Sequence, residues 1–94
     1  MFEVRRSANG TLAFDGRLDA SQAEKARKML DAVAESCTID FGELEYISSA
    51  GLGVLLAAQK RLNDSGHTLK LAHLNRHIRD IFHIAGFELV FEIE

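Results

Sequence analysis

The chain has 94 residues, of which 47% are hydrophobic and 27% are charged; this length supports one small domain, spanning residues 1–94, and is too short for two independent cores. Eleven basic and fourteen acidic residues give a net charge of −3 with neither sign in a block, so we expect no nucleic-acid binding. No apolar run approaches the roughly 18 residues that a membrane span needs, so we expect no direct membrane insertion.

The first elements are predicted to be a hairpin and an amphipathic helix. Two strand-like runs, Phe2–Arg6 and residues 11–14, flank the dipeptide Asn9-Gly10, which tolerates positive φ and favours a tight turn. Ser21 and Glu24 then have the spacing of a capping box. One helical face after them is apolar, with Ala23, Ala26, Leu30 and Val33. We expect this helix to end near Ser36.

Strands and helices alternate through the rest of the chain. Residues 37–41 form an apolar-rich run that suits a central strand covered on both faces, and a short loop follows it. Residues 51–63 have helical spacing, and Ser65-Gly66 stops that helix. The leucines of its apolar face are Leu52, Leu55, Leu56 and Leu62.

The last third of the chain predicts a strand, a helix and a strand. Residues 68–73 alternate, Asn75 can cap a third helix, and Gly86 ends it. The apolar stripe of that helix comprises Ile78, Ile81, Phe82 and Ala85. Residues 87–93 alternate as a final strand. The expected fold is therefore a single α/β domain of order ββαβαβαβ, with amphipathic helices on a mixed β-sheet and the strand-to-helix loops at one edge.

A serine pair, Ser48-Ser49, opens the second helix. Free N–H groups and the positive end of the helix dipole favour a negative group there by roughly 0.3–1 kcal/mol, so a phosphate on either hydroxyl would be tolerated. Serine is also an ordinary N-cap residue, worth about 1 kcal/mol. These residues alone therefore leave a phosphorylation switch and a structural cap both open.

Residues 40–52, DFGELEYISSAGL, resemble the signature of the STAS domain family, to which bacterial anti-sigma-factor antagonists belong. An apolar helix, GVLLAA, follows this stretch. Upstream, GRLDA at residues 16–20 looks like the G-x-L-D of the family before its first helix. Downstream, residues 69–72 and 81–87 look like its closing strand, helix and strand. The resemblance covers nearly the whole chain and implies a STAS-like fold.

The resemblance implies an anti-sigma-factor antagonist, which is a regulatory binding protein and not an enzyme. Unphosphorylated, it would bind a serine-kinase anti-sigma factor; phosphorylated by that kinase with ATP, it would be released, and a PP2C-type phosphatase would reset it. The phosphoacceptor falls on Ser49, with Ser48 as the alternative acceptor and the expected cap. The expected contact surface around Ser49 includes segment 17–21 and comprises Asp19, Ser21, Tyr46, Ser48, Ala50, Gly51 and Gly53.

Asp19 and Asp40 each have two interpretations. In the functional one, which the resemblance implies, they lie at the ends of neighbouring strands near Ser49 and help a partner kinase to position its substrate hydroxyl and Mg²⁺. Asp19 either helps a partner kinase to position its substrate or simply begins a helix. For Asp40 we favour a structural role, a hydrogen bond to the adjoining loop.

One departure from the family pattern keeps a second function open. Antagonists of the best-known type carry an Asp immediately before the phosphorylated Ser, where this chain has Ser48. The alternative is a stand-alone STAS docking subunit of a membrane transport complex, such as a lipid ABC system, without phosphorylation.

Catalytic, metal and redox chemistry are not favoured by the pattern. Ser49 and Gly51 match only the tail of a nucleophile elbow, because Ile47 stands where the first Gly would be. Among the four histidines only His73 and His77 lie four apart, and no Cys accompanies them. We expect no enzyme activity, no metal and no cofactor. The single cysteine predicts a buried strand start, and the absence of an apolar signal segment predicts a cytoplasmic protein.

Overall fold

Five strands and three helices alternate along the chain in the predicted order ββαβαβαβ. The computed structural model describes all 94 residues. The strands are β1 (Phe2–Arg6), β2 (Leu12–Leu18), β3 (Cys37–Ile47), β4 (Leu69–Ala72) and β5 (Glu92–Ile93), and the helices are α1 (Ala23–Asp31), α2 (Ser49–Asp64) and α3 (Arg76–Ile84). Short 3₁₀ helices, Ala20–Gln22 and Phe87–Leu89, precede α1 and β5. The predicted α/β class is confirmed.

The strands form one mixed sheet whose spatial order is the order in the sequence. β1 is antiparallel to β2, and each later pair is parallel. Because every parallel crossover steps in the same direction, right-handed connections place all three helices on one face. Burial agrees, since Leu12 and Phe14 are buried whereas Ala13 and Asp15 are only half-buried. One face of the sheet is open, so the expectation that residues 37–41 are covered on both faces is wrong.

The core lies between the sheet and the helices, and phenylalanine rings connect its parts. Phe14 stacks on Phe41 with ring centroids 5.7 Å apart, and Phe2 meets Phe14 edge-on at 5.2 Å. Phe82 of α3 contacts both Phe41 and Phe91 at 6.0 Å. Aromatic rings favour these offset and edge-on arrangements. The rings therefore tie β1 to the C-terminal segment through the centre of the domain.

Several local signals act as the sequence predicts. The β1–β2 hairpin turns through Gly10, which has a φ of 86°. The Asn75 side chain caps α3 by accepting a hydrogen bond from the N–H of Ile78 at 2.8 Å. Gly66 and Gly86 follow the ends of α2 and α3 with φ of 82° and 73°. Glycine adopts such angles without steric cost.

The start of α1 differs from the predicted capping box. The carboxylate of Asp19 accepts the N–H of Ser21 at 3.1 Å and opens the 3₁₀ helix, while α1 itself begins at Ala23 without a side-chain cap. The helix ends at Asp31 and not near Ser36. The Asp19 cap forms in place of the Ser21–Glu24 capping box, because a carboxylate two residues upstream reaches the Ser21 amide directly.

β3 is much longer than its apolar run. It continues from Cys37 to Ile47, so the segment predicted as a loop, residues 42–46, is extended. β2 also runs past Phe14, and the two strands pair until Leu18 lies beside Ile47, with two register irregularities on the way. Gly and Glu disfavour strands locally, but pairing with a neighbouring strand outweighs that preference.

The buried face of α2 includes a polar residue that the apolar stripe did not indicate. Leu55 and Leu62 are buried as predicted, but Leu56 is 39% exposed. Gln59, on the same helix, is buried instead. Its Oε1 accepts the N–H of Leu69 at 2.7 Å, and its Nε2 donates to the carbonyl of Val90 at 3.0 Å. Each polar atom of this side chain is thereby satisfied, which permits its burial.

A second polar contact joins α2 to α1. Nη2 of Arg61 donates to the carbonyl oxygens of Leu30 and Val33, each at 2.8 Å. The Leu30 carbonyl lies in the last turn of α1, where carbonyl oxygens have no partner four residues further along the helix, and Val33 follows that turn. Arg61 therefore caps the neighbouring helix.

The C-terminal strand is shorter than predicted. Only Glu92–Ile93 pairs with β4, and Phe87–Leu89 forms a 3₁₀ helix in place of the start of the expected strand. Leu89 is 94% exposed, so the alternation of apolar residues there does not mark an inward face. None of the three α-helices combines the length and apolar character that crossing a bilayer requires.

Candidate functional site

Two strand ends bring the candidate residues together at one edge of the sheet. Leu18 and Ile47 are partners in the β2–β3 register, and the N–H of Ser48 donates to the carbonyl of Leu18 at 2.9 Å. Asp19 and Ser49, which follow these strands, therefore emerge side by side although thirty residues separate them in the sequence.

Ser48 is the N-cap of α2, as expected. Its backbone is extended, with φ of −88° and ψ of 170°, and its Oγ accepts the N–H of Gly51 at 3.1 Å. Its carbonyl accepts the N–H of Leu52 at 2.9 Å. The half-buried hydroxyl of Ser48 is thus engaged in holding the first turn.

Ser49 is the first residue of α2 and is exposed. Its hydroxyl forms no hydrogen bond with another group of the protein, in contrast to that of Ser48. The amides of Ser49 and Ala50 belong to the first turn, where N–H groups have no partner within the helix. A negative group on Ser49 would therefore lie at the positive end of a helix of 16 residues.

Asp19 provides a fixed negative charge beside this helix start. Its Oδ1 accepts the hydroxyl of Ser21 at 2.6 Å and the N–H of the same residue at 3.1 Å. The Ser21 hydroxyl and the backbone amides of Ser21 and Gln22 hold the pKa of the Asp19 carboxyl below its ordinary value. The carboxylate is ionised at neutral pH and is half-buried, whereas Ser21 is exposed.

Three small residues in the first turns of α2 have different surroundings. Ala50 and Gly53 are exposed, and the space where a side chain of Gly53 would begin is open. Gly51 is buried: a Cβ there would lie 2.9 Å from both Ile47 Cγ1 and Leu18 Cγ. Gly51 therefore faces the core and cannot form part of a contact surface, so its expected place in that surface is corrected.

Arg17 and Tyr46 form a pair on the open face of the sheet, just before the two strand ends. They are partners in the β2–β3 register, and the guanidinium carbon of Arg17 lies 4.5 Å from the centroid of the Tyr46 ring. Tyr46 is half-buried and Arg17 is exposed. Sequence inspection placed both residues near Ser49 but gave no signal of this cation–π contact, because it depends on strand register.

Asp40 does not belong to this edge. It lies seven residues before Ile47 in β3, about 23 Å along an ideal strand. Its Oδ1 accepts the N–H of Gly42 at 2.8 Å and lies 3.0 Å from Nδ1 of His73. The Gly42 amide, followed by His73, lowers the pKa of Asp40 below its ordinary value. These contacts agree with the structural role that the sequence favoured for Asp40, except that the partner Gly42 lies in β3 and not in a loop.

A cleft of about 540 Å³ lies at the other end of the sheet. Its lining includes Arg6, Thr11, Cys37 and Lys70, and none of the residues around Ser49. Cys37 is half-buried, and burial raises the pKa of its thiol. A thiol with a raised pKa is a poor nucleophile, so this cleft offers no activated cysteine.

Known proteins resemble this chain along most of its length. A family model described as Mlab, STAS domain, matches residues 1–92. BtrV of Bordetella bronchiseptica, named as a candidate anti-sigma factor antagonist, is 35% identical over 82 residues, which cover 83% of this chain and 71% of BtrV. The anti-sigma-B factor antagonist of Listeria monocytogenes is 34% identical over 83 residues, which cover 84% of this chain and 73% of that protein.

Solved structures share the fold. The unphosphorylated anti-sigma factor antagonist SpoIIAA has a TM-score of 0.73 at 19% identity, over 100% of this chain and 87% of SpoIIAA. The phosphorylated form of SpoIIAA, a cell fate determinant of Bacillus, has a TM-score of 0.71 at 20% identity, over 100% of this chain and 91% of that chain.

Proposed function

The chain belongs to the STAS domain family, is of the anti-sigma-factor-antagonist type, and, we propose, exchanges partners through phosphorylation of Ser49. The unmodified protein binds an anti-sigma factor that is also a serine kinase. That kinase transfers the γ-phosphoryl group of ATP to the hydroxyl oxygen of Ser49, with ADP as the leaving group and loss of the hydroxyl proton. The modified protein dissociates, and a PP2C-type phosphatase hydrolyses the phosphoester.

The observation that carries this proposal is the division of roles between two adjacent hydroxyls. Ser48 closes the first turn of α2 through its bond to Gly51, so the exposed Ser49 has no structural task to lose on modification. Free amides and the helix dipole stabilise the added negative charge within the domain. The domain can therefore accept a phosphate at Ser49 without refolding.

The phosphate disrupts binding through charge. It brings about 1.5–2 negative charges at neutral pH beside Asp19, which is already negative. Inserting such a group into a desolvated contact without a basic counterpart costs several kcal/mol, and even about 3 kcal/mol lowers an affinity more than a hundredfold. SpoIIAA, which shares the fold, is known in both phosphorylated and unphosphorylated forms.

The proposed contact surface is centred on Ser49 and has small side chains around it. Ala50 and Gly53 allow the backbone of a partner to approach α2 closely, because neither carries a side chain beyond Cβ. The other members lie on the adjoining strand ends and turn: Asp19, Ser21, Tyr46 and Ser48. The kinase contacts this edge of the sheet and leaves the cleft beside Cys37 free.

Mass spectrometry of the protein isolated from its native host tests the site of modification. We expect one added phosphate, mapped to Ser49, which the Ser49→Ala variant lacks and the Ser48→Ala control retains. Phosphate on Ser48, or none in any growth condition, would overturn the assignment. Affinity purification adds the partner: Ser49→Ala should retain the anti-sigma factor, and Ser49→Asp should lose it.

The second candidate function is that of a STAS docking subunit in a lipid ABC transport complex. The observation that favours it is Ser48, a neutral cap where antagonists of the best-known type have an acidic residue. A docking subunit would co-purify with an ATPase, and its binding would tolerate Ser49→Asp. The same purification therefore separates the two candidates.

A further inference from the structure

Arg17 is a guanidinium without an anionic partner at the edge that carries Ser49. Of the other basic residues on the strands, Arg5 lies 3.5 Å from Asp15 and Lys70 lies 3.2 Å from Glu92, whereas Arg6, at the far end of the sheet, is unpaired like Arg17. No carboxylate lies within ion-pair distance of Arg17, which rests instead on the ring of Tyr46. Asp19, which follows the end of the same strand, accepts the N–H and the hydroxyl of Ser21 through its Oδ1.

The chain path keeps Arg17 close to Ser49. Arg17 and Tyr46 are partners in adjacent strands, and Ser49 follows Tyr46 by three residues. Three residues span at most about 10 Å, even when fully extended. Arg17 lies one strand spacing, about 4.8 Å, from Tyr46, so the backbones of Arg17 and Ser49 are at most about 15 Å apart. The arginine side chain and a phosphate on Ser49 shorten that distance from opposite ends.

We propose that Arg17 binds the phosphate on Ser49: in the phosphorylated protein its guanidinium leaves the ring of Tyr46 and forms an ion pair with the phosphate oxygens. This inference rests on the proposed function and names the residue that responds within the same site. No covalent bond changes in this step, because the Arg17 guanidinium only exchanges its contact with the Tyr46 ring for one with the phosphate.

The exchange is favourable on physical grounds. Guanidinium groups bind phosphate through two parallel N–H···O bonds, and such charge-assisted pairs are stronger than a contact with an aromatic face at an exposed site. The charge of Asp19 stays constant while the phosphate titrates near pH 6, because the lowered pKa of its carboxyl keeps it ionised throughout that range. Movement of Arg17 also uncovers Tyr46, so the modification alters the open face of the sheet as well as the start of α2.

The test uses protein in which phosphoserine is installed at position 49 during translation, so that no kinase is required. Phosphorus NMR measures the second pKa of the phosphate, and proton NMR follows the ring of Tyr46, which is the only tyrosine in a chain without tryptophan. We expect Arg17→Gln to raise the phosphate pKa by about 0.2–0.7 unit relative to the otherwise identical phosphoprotein. We also expect phosphorylation to shift the Tyr46 ring signals in the native background and to shift them less in Arg17→Gln.

Arg6→Gln is the matched control. Like Arg17, Arg6 is exposed and has no ion-pair partner. It lies far from Ser49, because its partner in the β1–β2 register is Leu12, at the opposite end of β2. This control should leave the phosphate pKa and the Tyr46 shifts unchanged. Arg17→Lys should restore only part of the effect, since an ammonium keeps the charge without the two-pronged geometry.

Two results would overturn the inference: an equal phosphate pKa in the Arg17→Gln and native phosphoproteins, or Tyr46 signals that do not respond to phosphorylation. Either result would leave the proposed function standing, because partner release requires only the added charge. Conversely, absence of Ser49 phosphorylation in the native host would refute the proposed switch, but it would not change the phosphate pKa or the Tyr46 signals measured with an installed phosphate.

Discussion

The hydroxyl of Ser48 accepts the N–H of Gly51 at 3.1 Å, so α2 is closed by the serine that lies beside the exposed one. This arrangement separates the stability of the helix from the chemistry of its first residue. A cap that was itself the acceptor of a phosphate would change its hydrogen bonding on every cycle, whereas here the cap and the acceptor are different residues.

Substitutions of the two serines should therefore have opposite consequences. Ser48→Ala removes the cap and should lower the free energy of unfolding by about 0.5–2 kcal/mol. Ser49→Ala should change it by less than about 0.5 kcal/mol, as for other exposed positions, while abolishing incorporation of phosphate. Urea denaturation of both variants and phosphate mapping provide the measurements. A larger loss in Ser49→Ala than in Ser48→Ala would contradict the assignment of the cap.

Gly51 and Gly53 form a matched pair, because both lie in α2 and gain equally in helix propensity on substitution by Ala. Gly53→Ala meets open space and should stabilise the protein by up to about 1 kcal/mol. Gly51→Ala places a methyl group 2.9 Å from Leu18 and Ile47 and should be about 1–3 kcal/mol less stable than Gly53→Ala. Thermal unfolding of the two variants measures the difference. Equal stabilities would show that the first turn of α2 yields to the added methyl group.

The neighbouring leucines of α2 test which face of the helix is inside. Leu55 is fully buried, so Leu55→Ala should cost about 2–5 kcal/mol, whereas Leu56→Ala should cost less than about 1 kcal/mol. Phe82→Ala should cost about 3–5 kcal/mol, because its ring contacts both Phe41 and Phe91. Chemical denaturation gives these values. A cost at Leu56 equal to that at Leu55 would mean that the helix is rotated.

Gln59 should be more important than its polar character suggests. Gln59→Leu leaves the buried N–H of Leu69 without a partner, at about 1–3 kcal/mol, and also removes the bond to the carbonyl of Val90. Lys60→Ala, one residue away and exposed, is the control and should be nearly neutral. Amide hydrogen exchange adds a specific measurement, since the Leu69 amide should lose protection in Gln59→Leu. Unchanged protection of that amide would argue against the contact.

The hydrogen bonds of Asp40 predict a dependence of stability on acid. Because the Gly42 amide and His73 lower the folded-state pKa of Asp40, the stabilisation is present above the unfolded-state value near 3.8 and is lost as the pH falls through the folded value. The melting temperature of Asp40→Asn should therefore fall less than that of the native protein between about pH 5 and about pH 2. Parallel melting profiles in that range would contradict this role.

Sequence reasoning predicted the features that neighbouring residues determine. The Asn9-Gly10 turn, the caps at Ser48 and Asn75, and the helix end at Gly86 all follow from short-range chemistry, and each is found. The full length of β3 was missed, because its second half is extended only through pairing with β2. The brevity of β5 was missed for a related reason, since alternation of apolar residues does not reveal whether a neighbouring strand is within reach.

In the candidate site, too, features set by neighbouring residues could be predicted and features set by strand pairing could not. The exposed Ser49 beside its cap could be inferred from a serine pair at a helix start. The burial of Gly51 and the stacking of Arg17 on Tyr46 could not, because both depend on where β2 lies relative to β3.

The close packing of Gly51 against Leu18 and Ile47 has a thermodynamic consequence for recognition. It anchors the start of α2 to the ends of β2 and β3, so the surface that a partner meets is already in its final shape before the encounter. A partner that docks there loses little conformational entropy in this domain. Under the proposed function, a partner can then distinguish the unmodified from the phosphorylated protein by the charge of the Ser49 side chain alone.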